Sequence, residues 1–110
     1  VTRFAKPPRG FQADLDALPD DATRVKALEM AVLVRDGKVR GHSLDDRVAT
    51  GDLSDCFKLY FDTVGGIKPR FRLVYRECRD GVQLVAVQPV AVGFREGLDA
   101  YTRAAKNLGR

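Results

Sequence analysis

Metal-binding side chains are scarce in this chain. It has one histidine, two cysteines, one methionine and no tryptophan among 110 residues. Zinc takes about four ligands from Cys, His and carboxylates. Cys56 and Cys78 stand in no ligand spacing and His42 is the sole histidine, so a zinc centre and a Ser–His–Asp triad are not expected. No glycine-rich phosphate loop is present, and Gly65-Gly66 reads as a turn. Apolar runs stay short of the ~18–20 residues that span a bilayer. Val1 to Gly10 is polar and proline-containing, without a signal-peptide pattern. A cytoplasmic protein is the expectation. In that setting Cys56 and Cys78 read as two buried apolar thiols rather than a disulfide. There is no internal repeat and no low-complexity stretch.

What the chain does have is an apolar fraction of 45% and a charged fraction of 31%, the balance of a folded globular protein. Its length suits a single domain, residues 1–110, around one core. Charge is unevenly spread. Residues 58–110 hold ten Lys and Arg against five Asp and Glu, whereas residues 1–57 hold nine against ten. The basic excess lies wholly in the second half, which points that half towards a polyanion such as RNA or DNA.

The pattern along the chain is helix, helix, strand meander, helix. Thr2 to Ala5 forms a possible short strand, ended by Pro7-Pro8. Phe11, Leu15 and Leu18 have the spacing of one helical face. Pro19-Asp20-Asp21 breaks that helix and offers an N-cap to the next. Val25, Leu28 and Val32, with Ala31 beside them, form a second apolar stripe, closed by Asp36-Gly37. Residues 36–55 hold no period and read as a connecting loop. Cys56 to Asp62 alternates, with Phe57, Leu59 and Phe61 on one side and Lys58, Tyr60 and Asp62 on the other. Phe71 to Glu77 alternates too, setting Phe71, Leu73 and Tyr75 against Arg72, Val74 and Arg76. Arg79-Asp80-Gly81 signals a hairpin. Val82 to Val92 is a third strand, in which Pro89 predicts a bulge, an edge or a split. Gly97 to Leu108 reads as a helix with Leu98, Tyr101, Ala105 and Leu108 along one side.

The expected fold is therefore α+β. An N-terminal helical hairpin packs on a twisted antiparallel sheet of three to four strands, with a short C-terminal helix. One sheet face meets the helices. The other carries Lys58, Tyr60, Arg72 and Arg76 and is expected to stay open to solvent.

Four pieces in order draw the second half together: Asp55-Cys56-Phe57-Lys58-Leu59-Tyr60, Phe71-Arg72-Leu73-Val74-Tyr75, Val90-Ala91-Val92-Gly93-Phe94-Arg95-Glu96, and Tyr101. Over about residues 53–108 this set resembles the RelE branch of the RelE/ParE toxin superfamily. The resemblance implies a microbial-RNase-like fold and a metal-independent, cofactor-free endoribonuclease. Such an enzyme cuts mRNA in the ribosomal A site and is held inactive by a cognate antitoxin protein. It further implies that Lys58 acts on the attacking hydroxyl or the phosphate, that Arg72 and Arg95 hold the phosphate, and that Tyr101 is a general base or a stacking partner. One position departs. RelE has a second lysine two residues after the first, and here Tyr60 stands there.

The residue types suit that chemistry. RNA supplies its own nucleophile, the 2′-hydroxyl, and aligning it accounts for much of the acceleration. The protein must take one proton, stabilise a crowded phosphorane and protonate the leaving oxygen. Arginine meets two phosphate oxygens and stays charged, and neighbouring cations lower the pKa of a phenol or an amine. Tyr60 is a surface aromatic or a base-stacking platform. Lys68, Arg70 and Arg76 are solvated or contact RNA and ribosomal backbone. Two other readings stay open: a ParE-like toxin that binds a protein such as DNA gyrase, and a catalytically inactive RNA-binding regulator.

Overall fold

The computed structural model describes residues 2–44 and 51–110. In chain order they form β1 (Arg3–Phe4), α1 (Gly10–Asp16), α2 (Asp21–Arg35), β2 (His42–Ser43), β3 (Cys56–Phe61), β4 (Phe71–Asp80), β5 (Gln83–Phe94), a 3-10 turn (Glu96–Leu98) and α3 (Asp99–Asn107). The strands make one sheet in the order β1-β5-β4-β3-β2. Only the β1–β5 pair is parallel. The class is α+β, but the sheet has five strands instead of three to four. The unannounced one is β2, two residues long and too short to show a period of two in sequence. Of the connecting stretch expected at 36–55, residues 45–50 lie outside the described residues. The remainder contributes β2 and two core side chains, Leu44 and Leu53.

Local signals explain the helix boundaries. Asp20 is the N-cap of α2, with extended backbone, and accepts hydrogen bonds from the Thr23 amide at 2.8 Å and the Thr23 hydroxyl at 2.7 Å. A carboxylate there satisfies amides that a helix start leaves without partners. Arg24 closes the preceding turn by donating to the carbonyls of Leu15, Asp16 and Leu18. At the far end Gly37 takes a φ of +73°. Its amide bonds Val34 and that of Lys38 bonds Leu33, the paired arrangement that ends a helix when glycine follows it. The two helices do not form a free-standing hairpin. α1 rests mainly on β5 and α3, and α2 on β3 and β5.

The sheet is covered on both faces. Phe11, Leu15, Leu18, Ala27 and Ala31 pack against Phe61, Phe71, Leu73 and Val92 on one side. On the other, Ala100, Tyr101, Ala104 and Ala105 of α3 meet Val74, Val90 and Ala91, with Leu44, Leu53 and Cys56 beside them. The face expected to be open is therefore closed over β4 and β5 by α3, whose alanines let it lie close to the strands, while Lys58 and Tyr60 on β3 stay half-buried. Pro89 marks a bulge as expected. Val74 pairs with Ala91 and Tyr75 with Pro89, so Val90 is an extra residue. The missing N–H of Pro89 costs no ladder bond to β1, whose pairing stops at Val87. Cys56 is buried and Cys78 only half-buried, and both are free thiols. Among the described residues no helix is long and apolar enough to cross a membrane.

A buried carboxylate ties α1 to α3. Asp14, 5% exposed, accepts from Arg103 Nη1 at 3.0 Å and Asn107 Nδ2 at 2.9 Å. Asn107 also donates to the carbonyl of Val90, inside the bulge. Three elements are thereby locked around one corner of the sheet.

The second apolar stripe is the main correction. Val25 and Leu28 are 53% and 49% exposed, while Thr23, Ala27, Ala31 and Val34 face the core. Both sets recur at helical spacing, so periodicity alone does not choose between them. Small residues on the inner side bring α2 close to the sheet, and Val25, Leu28, Val32 and Leu33 line an outward groove. Leu28→Lys is expected to change stability by less than ~0.5 kcal/mol, whereas Ala31→Leu overpacks the helix–sheet contact and costs ~1–3 kcal/mol. Urea denaturation of the two variants distinguishes the faces.

Asp55 holds the end of the described chain. It pairs with Arg110 and Arg76, and the hydrogen bond from Arg110, with the charge of both arginines, holds its carboxyl down at about 2. A carboxyl lowered on folding contributes stability above its unfolded value and loses it as pH falls through the folded one. Because the group is well exposed, screening limits the contribution to ~1 kcal/mol. Asp55→Asn is expected to lose that amount at neutral pH, and the difference from wild type should fade between pH ~4 and ~2 in pH-dependent unfolding.

Candidate functional site

Strand register places the first two groups. Tyr60 on β3 sits directly opposite Arg72 on β4, and Lys58 lies two residues back on the same face. Arg95 enters from the exit of β5, where its amide bonds the Arg70 carbonyl at 2.8 Å and its Nη1 bonds the Pro69 carbonyl at 3.3 Å. These fix where the arginine returns across the sheet end. The corner is tightened by Asp99, which accepts from the Phe94 amide at 2.9 Å and from Arg103 Nε at 3.0 Å. Gly93 makes room for it: a Cβ there would stand 2.5 Å from the Asp99 carboxylate. The following Gly97 and Leu98 both take left-handed backbone, at φ of +66° and +60°. For leucine that is a strained state.

Around the Tyr60 ring three cations converge. The Lys58 ammonium lies 5.5 Å from the ring centroid, the Arg72 guanidinium carbon 5.0 Å and that of Arg95 5.3 Å. Arg72 Nη2 donates to the Tyr60 hydroxyl at 3.4 Å. Below, the Arg72 guanidinium lies 4.1 Å from the centroid of Tyr101, so it is flanked by two phenol rings. Arg72 is 6% exposed and Tyr101 1%. Tyr101 thus seats the arginine from inside the core, away from solvent, whereas the half-buried Tyr60 is the phenol at the surface.

Charge compensation divides the basic residues into two groups. Arg70 is held by Asp62 through both its side chain and its amide, which drives that carboxyl far below its usual range. Arg76 pairs with Asp55 at 3.3 Å, and four residues along β4 place it roughly 13 Å from Arg72. Neither joins the cluster. Lys58, Arg72 and Arg95 have no ion pair among the described residues. Nε and Nη1 of Arg72 are buried with no hydrogen-bond acceptor among those residues. Three neighbouring cations with no carboxylate partner among the described residues, one of them buried with donors left over, are an arrangement that can hold an anion.

The phenol responds to that field. Burial pushes the Tyr60 hydroxyl up, but hydrogen bonding and charge from Arg72 and Lys58 outweigh it, so its pKa lies below the ordinary phenolic value. Beside the cluster, and sharing Arg95 with it, is a cleft of about 510 Å³ lined by Lys68, Pro69, Arg70, Phe94, Arg95 and Glu96. Phe94 is 44% exposed there and rests on Phe71 with ring centroids 5.2 Å apart. Lys68 is exposed on the same rim.

Sequence reasoning brought Lys58, Arg72, Arg95 and Tyr101 to one place, and they do lie together. It missed the central position of Tyr60 and the lining role of Phe94 and Glu96. The signal for Phe94 was an aromatic at the end of an apolar strand. His42 sits exposed on the edge strand β2, paired in register with Lys58. Among the described residues no three His, Cys, Asp or Glu side chains cluster as metal ligands. No protein-family model, curated protein or solved structure matches the chain.

A buried guanidinium with unused donors is costly, and apolar replacement of such a charge is often neutral or stabilising. Arg72→Met is expected to raise unfolding stability by ~1 kcal/mol in urea denaturation, with loss of the cation–π contacts offsetting part of the gain. The same variant should lose the thermal stabilisation that added inorganic phosphate gives the wild type.

Proposed function

We propose that this chain is a RelE-like toxin: an endoribonuclease that cleaves mRNA by attack of the 2′-hydroxyl on the adjacent phosphodiester, without a metal. The observation that carries the reading is the uncompensated cluster of Lys58, Arg72 and Arg95. A phosphodiester passing to a phosphorane gains negative charge, and preorganised cations away from bulk water stabilise that gain more than the starting anion. Arg95, at the surface, meets the non-bridging oxygens, and Lys58 meets the leaving oxygen. Arg72 supplies fixed charge from behind, its donors already oriented by the flanking rings. The resemblance of residues 53–108 to the RelE branch supports the same reaction.

The cleft beside Arg95 suits the nucleotide that follows or precedes the cut, with Phe94 as a stacking surface and Lys68 near its backbone. Arg70 and Arg76, each already paired with a carboxylate, serve RNA contact less directly than the sequence suggests. The partners on this reading are messenger RNA, the ribosomal A site and an antitoxin protein. The antitoxin restrains the enzyme by covering the cations or displacing α3, whose Tyr101 supports Arg72. The setting is the cytoplasm.

Primer extension and end analysis on mRNA, with and without translating ribosomes and with chelator present, test the reading. Fragments ending in 2′,3′-cyclic phosphate and 5′-hydroxyl are expected, and Arg95→Ala should lower the single-turnover rate by ~10²–10³. Intact mRNA in both conditions overturns it. Growth arrest with intact mRNA and failing DNA supercoiling would point instead to a gyrase-binding toxin.

A further inference from the structure

The reaction needs a group to take the proton of the attacking hydroxyl, and the geometry points to Tyr60 as that group, with Tyr101 restricted to seating Arg72. The inference rests on the ribonuclease reading above and adds a proton acceptor to it. Two phenols neighbour the cations, and access separates them. Tyr101 is 1% exposed, beneath the guanidinium. Tyr60 is half-buried on the outer side of the same guanidinium, where a bound ribose can meet its oxygen. Arginine is a poor proton acceptor because it holds its proton at any ordinary pH. Lys58 is assigned to the leaving oxygen, to which its ammonium donates.

The surroundings of Tyr60 ease the loss of its proton. β3 contributes Lys58, β4 contributes Arg72 and the exit of β5 contributes Arg95, all three within 5.5 Å of the ring centroid. Among the described residues α3 brings Tyr101, behind Arg72. Asp62, the carboxylate on the same face of the β3 exit, is occupied by Arg70. A proton acceptor works best when its pKa lies near the working pH, and the field moves this phenol in that direction.

The step then balances. The Tyr60 phenolate takes the proton of the 2′-hydroxyl as O2′ forms its bond to phosphorus. The phosphorane is held by Arg95, with the fixed charge of Arg72 behind it. The bond from phosphorus to O5′ breaks, and the Lys58 ammonium gives O5′ a proton. The products are a 2′,3′-cyclic phosphate, a 5′-hydroxyl, a neutral phenol and a neutral amine. Solvent returns the last two to their starting states.

A stacking role for Tyr60 would survive loss of its hydroxyl, so Tyr60→Phe separates the two roles. Single-turnover cleavage across pH is expected to fall by ~10²–10⁴ in this variant, with little change in KM, and to lose the limb of the pH profile that rises with pH. Tyr101→Phe should keep that limb and lose less than ~10-fold in rate. Independently of activity, ultraviolet difference titration follows the three tyrosines. The phenol that ionises at lowest pH should be present in wild type and missing from Tyr60→Phe. Wild-type rate and pH profile in Tyr60→Phe, or abolition by Tyr101→Phe instead, overturns the assignment while leaving the nuclease reading intact. Absence of cleavage by wild type overturns both.

Discussion

A guanidinium held inside a protein without a carboxylate is unfavourable unless something else compensates it. Arg72 is in that position, and the surrounding elements hold it there. Two aromatic faces supply part of the compensation, Tyr101 from below and Tyr60 from the side. Nε and Nη1 of Arg72 are buried with no acceptor among the described residues, so its charge is uncompensated by those residues and fixed in place by the two rings. That is the condition under which fixed charges stabilise a transition state best.

The architecture that keeps Arg72 buried begins with α3. Its alanines and the absent side chain of Gly93 let the helix lie close on β4 and β5. Asp99 pins its start to the end of β5, and Asp14 pins its later turns to α1 through Arg103 and Asn107. The bulge at Val90 turns the Val90 carbonyl to the same network. Loosening that corner would let α3 rise and expose Tyr101. A partner that displaces α3 would therefore disturb the anion site without touching it.

Much of this was legible in the residues. Alternation in Cys56 to Asp62 and Phe71 to Glu77 gave two strands and the faces of their side chains, because a two-residue period leaves no other assignment for a half-buried ladder; the second strand runs on to Asp80. Pro89 announced an irregularity, since proline cannot complete a ladder. Asp20 announced a helix start. Lys58, Arg72, Arg95 and Tyr101 were named from the residues; the registers of β3, β4 and β5 bring the three cations together, and α3 lays Tyr101 against Arg72. Other features were not legible. Val25, Leu28 and Val32 have the spacing of a core stripe, yet Ala27 and Ala31 face inward, because close approach to a sheet favours small side chains. The outer face was expected to be open, since the order of elements does not say which side of the sheet a terminal helix crosses. Burial of Tyr101 and the partial exposure of Tyr60 both follow from that crossing.

The sequence by itself determined the α+β class, the strand faces, the concentration of positive charge in the second half and the identity of the candidate cations. All of these are written in local periodicity and composition. Tertiary structure alone decided which cations were neutralised. Arg70 meets Asp62 and Arg76 meets Asp55, whereas Lys58, Arg72 and Arg95 gather at one phenol. Ion pairing depends on distances between residues far apart in the chain, and one-dimensional spacing does not contain them.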